Sequence, residues 1–297
     1  MLRRILKRFF IALLSFAAAF YATAVVRSHP LPDHPFAPDG KVLTIAHRGG
    51  LHLGPEHTLP TYTRAVEVGV DVLEIDLCMS KDGVLVAIHD CRVDRTTDGR
   101  GAVGDLTLAE LKNFDAGYHW SMDGDKTFPA RGQGYVIATL EETLEAFRDQ
   151  LMVIEIKSDE PSIAADLCTS LRNFHRTDKT IVASFYGDVT DAFRAACPEV
   201  STGATGGEVV TFVVLNFFYL DAAFQASAQA FQMPFRLGPI ELVNRRFIEA
   251  ARNHNVAVHV WTVNDPEKMR DLIAAGIDGI ITDEPQSLLE LLDQTNL

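Results

Sequence analysis

The 297-residue chain is short of several features that mark large protein classes. Its four cysteines (Cys78, Cys91, Cys168 and Cys197) form no CxxC pair and follow no zinc spacing. A core of this size is not expected to depend on disulfides. Basic residues are scarce: 27 lysines and arginines stand against 40 acids, a net charge of −13 that excludes a nucleic-acid surface. No G-x-G-x-x-G follows the first strand-like run, so the dinucleotide-binding fingerprint is missing. What remains is ordinary globular composition, 47% hydrophobic and 23% charged, at a length that a closed α/β barrel reaches as one domain.

The N-terminus departs from that composition. "MLRRILKRFF" carries Arg3, Arg4, Lys7 and Arg8 ahead of an uncharged run from Phe9 to Val26. Eighteen residues make roughly 27 Å of helix, just enough for the hydrocarbon core. The basic flank belongs on the cytoplasmic side, which places the rest of the chain on the non-cytoplasmic side. Residues 1–26 therefore read as a signal-anchor. Ala22-Thr23-Ala24 resembles a cleavage site, so the alternative is a removed signal peptide and a secreted or periplasmic product. "RSHPLPDHPFAPDG", residues 27–40, reads as a proline-rich tether to a domain over 41–297.

In that domain β-branched runs alternate with helical spacing. The runs are Val42–Ala46, Val72–Asp76, Met152–Ile156, Thr180–Ser184, Val200–Ala204, Ala230–Gln232, Val256–Trp261 and Gly279–Thr282. Those at 200–204 and 230–232 are the weakest. Eight strands alternating with helices predict an α/β fold of (β/α)8 type, with a doubly wound open sheet as the alternative. Within "VLEIDLCMSKDGVLVAIHD" only Lys81-Asp82-Gly83 separates two strand-like halves. So short a link forms an antiparallel hairpin, which should return His89 opposite Ile75 at the barrel mouth. Residues 91–138 lack barrel periodicity and read as an insertion over that mouth.

The polar residues at the strand ends carry the chemistry. Glu74 and Asp76 are two apart on one strand and share a face, as do Glu155 and Lys157 in "VIEIKS". Buried carboxylates repel one another and need a cation between them. Three hard oxygen donors suit Mg²⁺ or Ca²⁺, with Mn²⁺ possible, rather than zinc. A metal-free ion-pair network through Arg48 and Lys157 is the plain alternative. His47 and His89 end strands beside this cluster, and histidine is the side chain whose ordinary pKa suits both proton donation and acceptance. Cations on the same rim imply an anionic, phosphoryl-bearing substrate. "HRGG" would thus supply a proton-transfer group, a phosphate clamp and, in its glycines, room for the ligand.

These residues resemble the glycerophosphodiester phosphodiesterase family. The matching stretches are "HRGG" at 47–50, "PEHT" at 55–58, "EID" at 74–76, "SKDGVLVAIHD" at 80–90, "EIK" at 155–157, "VWTVN" at 260–264 and "GIDGIITDEP" at 276–285. The resemblance implies a (β/α)8 barrel that cleaves a glycerol-phosphate diester to an alcohol and glycerol 3-phosphate. It implies Glu74, Asp76 and Glu155 as metal ligands and His47 and His89 as acid–base residues. Arg48 and Lys157 would hold the phosphate, with Trp261 near the departing group.

Two features depart from the family. Pro-Glu-Asn-Thr is usual where this chain has Pro55-Glu56-His57-Thr58; His57 is expected to face solvent, with an altered mouth as the alternative, and Glu56 to fix a loop. The apolar stretch Val209–Leu220 is too short to span a bilayer and reads either as a buried barrel helix or as a mouth-side element dipping into lipid. Three functions follow: a metal-dependent glycerophosphodiesterase, a lysophospholipase D-type enzyme on the same site, or a non-catalytic binding barrel. The expected partners are a glycerophosphodiester or lysophospholipid and the membrane, and the oligomeric state is left open.

Overall fold

The computed structural model describes residues 2–38 and 40–295. Helix α1 (Leu2–Arg27) comes first, and its segment Leu6–Arg27 has the length and composition to cross a membrane, a property shared by anchors and signal sequences. There follow β1 (Leu43–Ala46), α2 (Leu59–Val68), β2 (Val72–Met79), β3 (Leu85–Ala87), α3 (Leu108–Leu111) and α4 (Leu140–Ala146). Next come β4 (Leu151–Ile156), α5 (Ile163–Asn173), β5 (Thr180–Ala183), α6 (Gly187–Ala196), β6 (Ser201–Thr202) and α7 (Gly206–Phe217). The chain continues through β7 (Ala230–Met233), a small hairpin of β8 (Arg236–Leu237) and β9 (Ile240–Glu241), then α8 (Arg245–Arg252). It ends with β10 (Ala257–Val260), α9 (Pro266–Ala275), β11 (Gly279–Thr282) and α10 (Pro285–Thr295).

Eight of these strands run parallel in the order β6-β5-β4-β2-β1-β11-β10-β7. A parallel bridge between Gly203 and Ala230 brings β7 back to β6 and completes the ring. Every strand-like run in the sequence is present. β6 is only two residues long, and the bridge beyond it carries the closure that a longer ladder supplies elsewhere. Threonines start the helices beside the mouth: Thr139 and Thr205 each make a reciprocal capping box with a glutamate three residues on.

Side-chain alternation fills the barrel. Leu43, Ile45, Val72, Val153, Ile181, Ala230, Ala257 and Ile281 point inward, and Phe36 plugs the foot. Residues 31–36 are accordingly laid along that foot: Leu31 N–H donates to His254 O at 2.9 Å, and Asn255 Nδ2 donates to the carbonyls of Leu31 and Pro32. One step up from Val72 and Val153, the same inward face carries Glu74 and Glu155. The hairpin pairs Leu77 with Ala87 antiparallel, and extending that register by two residues sets His89 opposite Ile75. Residues 93–137 pack Val93, Val103, Leu111 and Ile137 onto the hairpin's outer face.

All four cysteines are paired. Cys78 pairs with Cys91, and Cys168 with Cys197, leaving no free cysteine. Spacing along the chain hides both bonds because each joins neighbouring elements: β2 to the residues after β3, and α5 to the end of α6. The first bond closes two residues beyond His89.

Candidate active site

The C-terminal ends of the strands surround a cavity of about 420 Å³ lined by His47, Arg48, Glu74, His89, Glu155, Lys157 and Trp261 among others. All eight residues picked from the sequence converge here. Asp76, only 1% exposed, lies just behind the cavity surface. Register explains the cluster: β2 and β4 pair Asp76 directly with Glu155, and Glu74 with Val153. Oxygens of Glu74, Asp76 and Glu155 all lie within 4.8 Å of one another.

Burial, then the charges of Asp76 and Glu155, pushes the Glu74 carboxyl well above the usual range. Glu155 is raised as well, by burial and by Asp76. Asp76 behaves differently. Burial opposes its charge, but the His57 hydrogen bond and the charges of His57, Lys157 and Arg48 outweigh it and hold the carboxyl below its ordinary value. The cluster thus combines one firmly ionised oxygen donor with two that ionise readily only beside added positive charge. Such a set fits a hard divalent cation, and these three residues could hold one.

The basic groups are already oriented. Lys157 Nζ sits 2.8 Å from Glu155 and 3.3 Å from Asp76. Arg48 donates its backbone N–H to Glu74 at 2.7 Å, and its guanidinium lies 3.4 Å from Asp76 and 3.3 Å from Glu56. Each histidine is held from behind by an aspartate. His47 Nδ1 meets Asp283 at 2.7 Å, and His89 Nδ1 meets Asp90 at 2.6 Å. Nε2 is therefore the nitrogen that each ring can present to the cavity. Burial lowers the His89 pKa despite Asp90.

Two readings of this region change. His57 does not face solvent: it is 2% exposed, with Nε2 2.9 Å from Asp76 and Nδ1 2.8 Å from the Tyr62 hydroxyl. A tight loop turns it inward, its backbone N–H bonding Arg48 O. The glycines of "HRGG" make room for protein rather than ligand. Both have positive φ; a Cβ on Gly49 would lie 2.9 Å from the Tyr62 ring, and one on Gly50 would lie 2.9 Å from Pro285. Glu56 does fix a loop, bonding Arg95 at 2.6 and 2.8 Å, while Arg95 also holds Asp90.

Sequence reading passed over five contributors: Asp90, Asp283, Asn264, Tyr62 and Phe185. Asn264 anchors Asp283 through its Nδ2 (2.7 Å) and accepts the Asp283 N–H (2.9 Å). Both lie inside motifs quoted for the resemblance, which is the signal that pointed to them. Phe185 stands edge-on to Trp261 at 6.0 Å on the apolar side of the cavity. Nothing in its local sequence marks it.

Clustered carboxylates under two histidine–aspartate pairs, with cations aimed at one cavity, place the chain in the class of barrel phosphodiesterases. A model of the glycerophosphoryl diester phosphodiesterase family matches residues 47–287, and the chain belongs to that family. It is 34% identical over 259 residues to a glycerophosphodiester phosphodiesterase of Caldanaerobacter subterraneus, covering 85% of this chain and 98% of the relative. Among solved structures, the fold matches the glycerophosphoryl diester phosphodiesterase domain of a Mycobacterium tuberculosis protein (TM-score 0.76, 20% identity, 84% and 99% covered). It also matches an Oleispira antarctica phosphodiesterase bound to its product sn-glycerol-3-phosphate (TM-score 0.65, 23% identity, 87% and 98% covered). The chain is a glycerophosphodiester phosphodiesterase.

Proposed function

We propose that the enzyme hydrolyses glycerophosphodiesters to an alcohol and glycerol 3-phosphate through the residues gathered at this mouth. Glu74, Asp76 and Glu155 hold one divalent hard cation, Mg²⁺ or Ca²⁺ with Mn²⁺ as a substitute. His47 and His89 exchange protons, Arg48 and Lys157 bind the phosphate, and Trp261 borders the departing alcohol. The observation that carries this reading is the pairing of each cavity histidine with its own aspartate on either side of the carboxylate cluster.

Bound at the cluster, the cation supplies positive charge to the phosphoryl oxygens as a Lewis acid. The chain's own residues do the rest. Arg48 and Lys157, held by the buried acids, neutralise the non-bridging oxygens without reorganising. One histidine takes the proton of the attacking oxygen through Nε2, and the other gives a proton to the departing alcohol oxygen as its bond to phosphorus breaks. The attacking oxygen belongs to water in direct hydrolysis, or to the glycerol 2-hydroxyl in a route through a cyclic phosphate. Asp283 and Asp90 fix the ring tautomers in either case.

The apolar wall of the cavity, with Phe185, Val209, Val210 and Met233, favours a second substrate class, lysophospholipids cleaved in the manner of a lysophospholipase D. Both disulfides fit a non-cytoplasmic barrel, anchored by α1 or released after its cleavage. His47→Ala and His89→Ala should each lower turnover by roughly 10²–10⁴-fold. Binding of glycerol 3-phosphate should change little. Near-normal turnover in either variant would remove that histidine from the mechanism.

A further inference from the structure

The mouth has two unlike halves. The acids and histidines come from the β1, β2 and β4 side. The opposite rim, above β5, β6 and β7, turns apolar side chains outward: Phe185, Val210, Leu237 and Ile240 are 61–70% exposed, with the charged Asp188 and the paired Arg236 and Glu241 beside them. Leu237 and Ile240 face each other across the β8–β9 hairpin, which rises from the mouth end of β7. Phe185 and Val210 also line the cavity, so rim and cavity wall form one surface.

This surface continues down α7. Phe212 and Asn216 pack α7 on the barrel, so its outward face carries Val210, Val214 and Phe217, spaced at helical intervals and all exposed. No charged residue occurs from Val209 to Leu220, whereas the outward faces of α8 and α9 carry Arg245, Glu249, Lys268 and Asp271. From Val210 to Phe217 the stripe is roughly 10 Å long, and it ends where α1 joins the barrel. Gln225 Nε2 donates to Ala24 O at 3.2 Å, and Ser28 Oγ donates to Phe224 O at 2.7 Å, both just after α7. There Tyr219 is exposed with the Arg246 guanidinium 3.9 Å above its ring, the amphipathic pairing favoured at a membrane–water boundary.

We infer that the β5–β7 rim and the outward face of α7 are a docking surface for a lipid bilayer. The occupant follows from continuity: the one helix among the described residues that is long and apolar enough to enter a bilayer leaves the barrel at the end of this stripe. The net charge of −13 makes docking apolar rather than electrostatic, so a zwitterionic bilayer suffices. Docking sets the apolar side of the cavity against the acyl region. A diester that keeps its single acyl chain in the bilayer then reaches the phosphate site without leaving the membrane. This last consequence rests on the proposed phosphodiesterase site; the docking itself does not.

The test uses the full chain reconstituted in phosphatidylcholine bilayers. Tryptophan is placed at Phe217, at Leu237 and, as a control on the opposite flank, at Val66 of α2. Brominated phosphatidylcholine should quench the added emission at 217 and 237 about twofold or more beyond that at 66, since it acts only on groups at the lipid. In the same bilayers, Leu237→Glu combined with Ile240→Glu should slow cleavage of lysophosphatidylcholine about tenfold or more, a loss of ~1.4 kcal/mol, and leave soluble glycerophosphocholine within about twofold. Equal quenching at the three positions, or equal effects on both substrates, overturns the docking surface. So does loss of a dimer in detergent on the glutamate substitutions, which would make the face a contact between two copies. If the unmodified enzyme cleaves neither diester, the phosphodiesterase site fails, and the quenching pattern alone still decides docking.

Discussion

Replacing His57 with alanine tests how the ionised member of the carboxylate cluster is held. The imidazole donates through Nε2 to Asp76 and accepts the Tyr62 hydroxyl at Nδ1, and all three groups are buried. Alanine removes the hydrogen bond to Asp76, at about 1.5–3 kcal/mol for one to a charged group, while Lys157 and Arg48 stay within 3.4 Å of that carboxylate, and it strands the Tyr62 hydroxyl at about 1–3 kcal/mol. Partial relaxation and water entry reduce the sum, so a loss of about 2–5 kcal/mol is expected. For a barrel of this length that corresponds to roughly 4–20 °C in Tm. Tyr62→Phe removes only the far bond and should cost about 1 kcal/mol, with Asp76 undisturbed. His57→Asn keeps an amide donor near Asp76 and should fall between wild type and alanine. The measurement is thermal unfolding of the full chain in detergent at fixed scan rate, with His57→Ala and Tyr62→Phe combined to close a double-mutant cycle. A His57→Ala melt within about 2 °C of wild type would show that the relay from Tyr62 to Asp76 contributes nothing to the fold.

Removing divalent cations should abolish turnover, with recovery on adding Mg²⁺, Ca²⁺ or Mn²⁺; full activity in a verified metal-free preparation would reject the cation site. The same depletion has a pH signature, because the raised Glu74 and Glu155 keep more protons in the folded state than in the unfolded one above about pH 4.5. The share of cation-free stability that these two acids carry should therefore fall as pH rises through those raised values, opposite in sign to the shares of the buried His57 and His89, and cation at 100 times its Kd should add about 2.7 kcal/mol. Identical melting with and without cation at every pH would contradict it. Asp283→Asn should lower kcat by roughly 10²–10⁴-fold through loss of the correct His47 tautomer, with KM little changed; an unchanged kcat would detach Asp283 from His47 function. Cys78→Ser with Cys91→Ser should cost about 2–4 kcal/mol in unfolding experiments and lower kcat by freeing the segment that carries His89. Unaltered stability and turnover would show that the hairpin holds His89 unaided.

Much of the barrel was legible in the sequence because its signals are local. Strand runs, the three-residue link at Lys81–Gly83 and the two-residue spacing of Glu74 and Asp76 each fix geometry between chain neighbours, and pleating puts alternate residues on one face. The apolar stretch Val209–Leu220 showed its hydrophobicity equally plainly but not its orientation. A helix with apolar residues on every side does not reveal which face the barrel covers, and only packing of Phe212 and Asn216 inward left Val214 and Phe217 outside.

By itself the sequence determined the eight alternating strands, the hairpin after the second and the seven polar residues at the mouth, with Trp261 added by the family resemblance. The tertiary structure decided how those residues are supported. His47 meets Asp283 across 236 positions because the first strand pairs with the last, Ala46 beside Thr282. Asp76 stands beside Glu155 because β2 and β4 lie side by side in that register. His57 entered the core onto Asp76, 19 positions on, and the cysteines paired across 13 and 29 positions. The first two contacts join strands distant in the chain through the strand order of the barrel, the others join adjoining elements, and local periodicity carries no record of either.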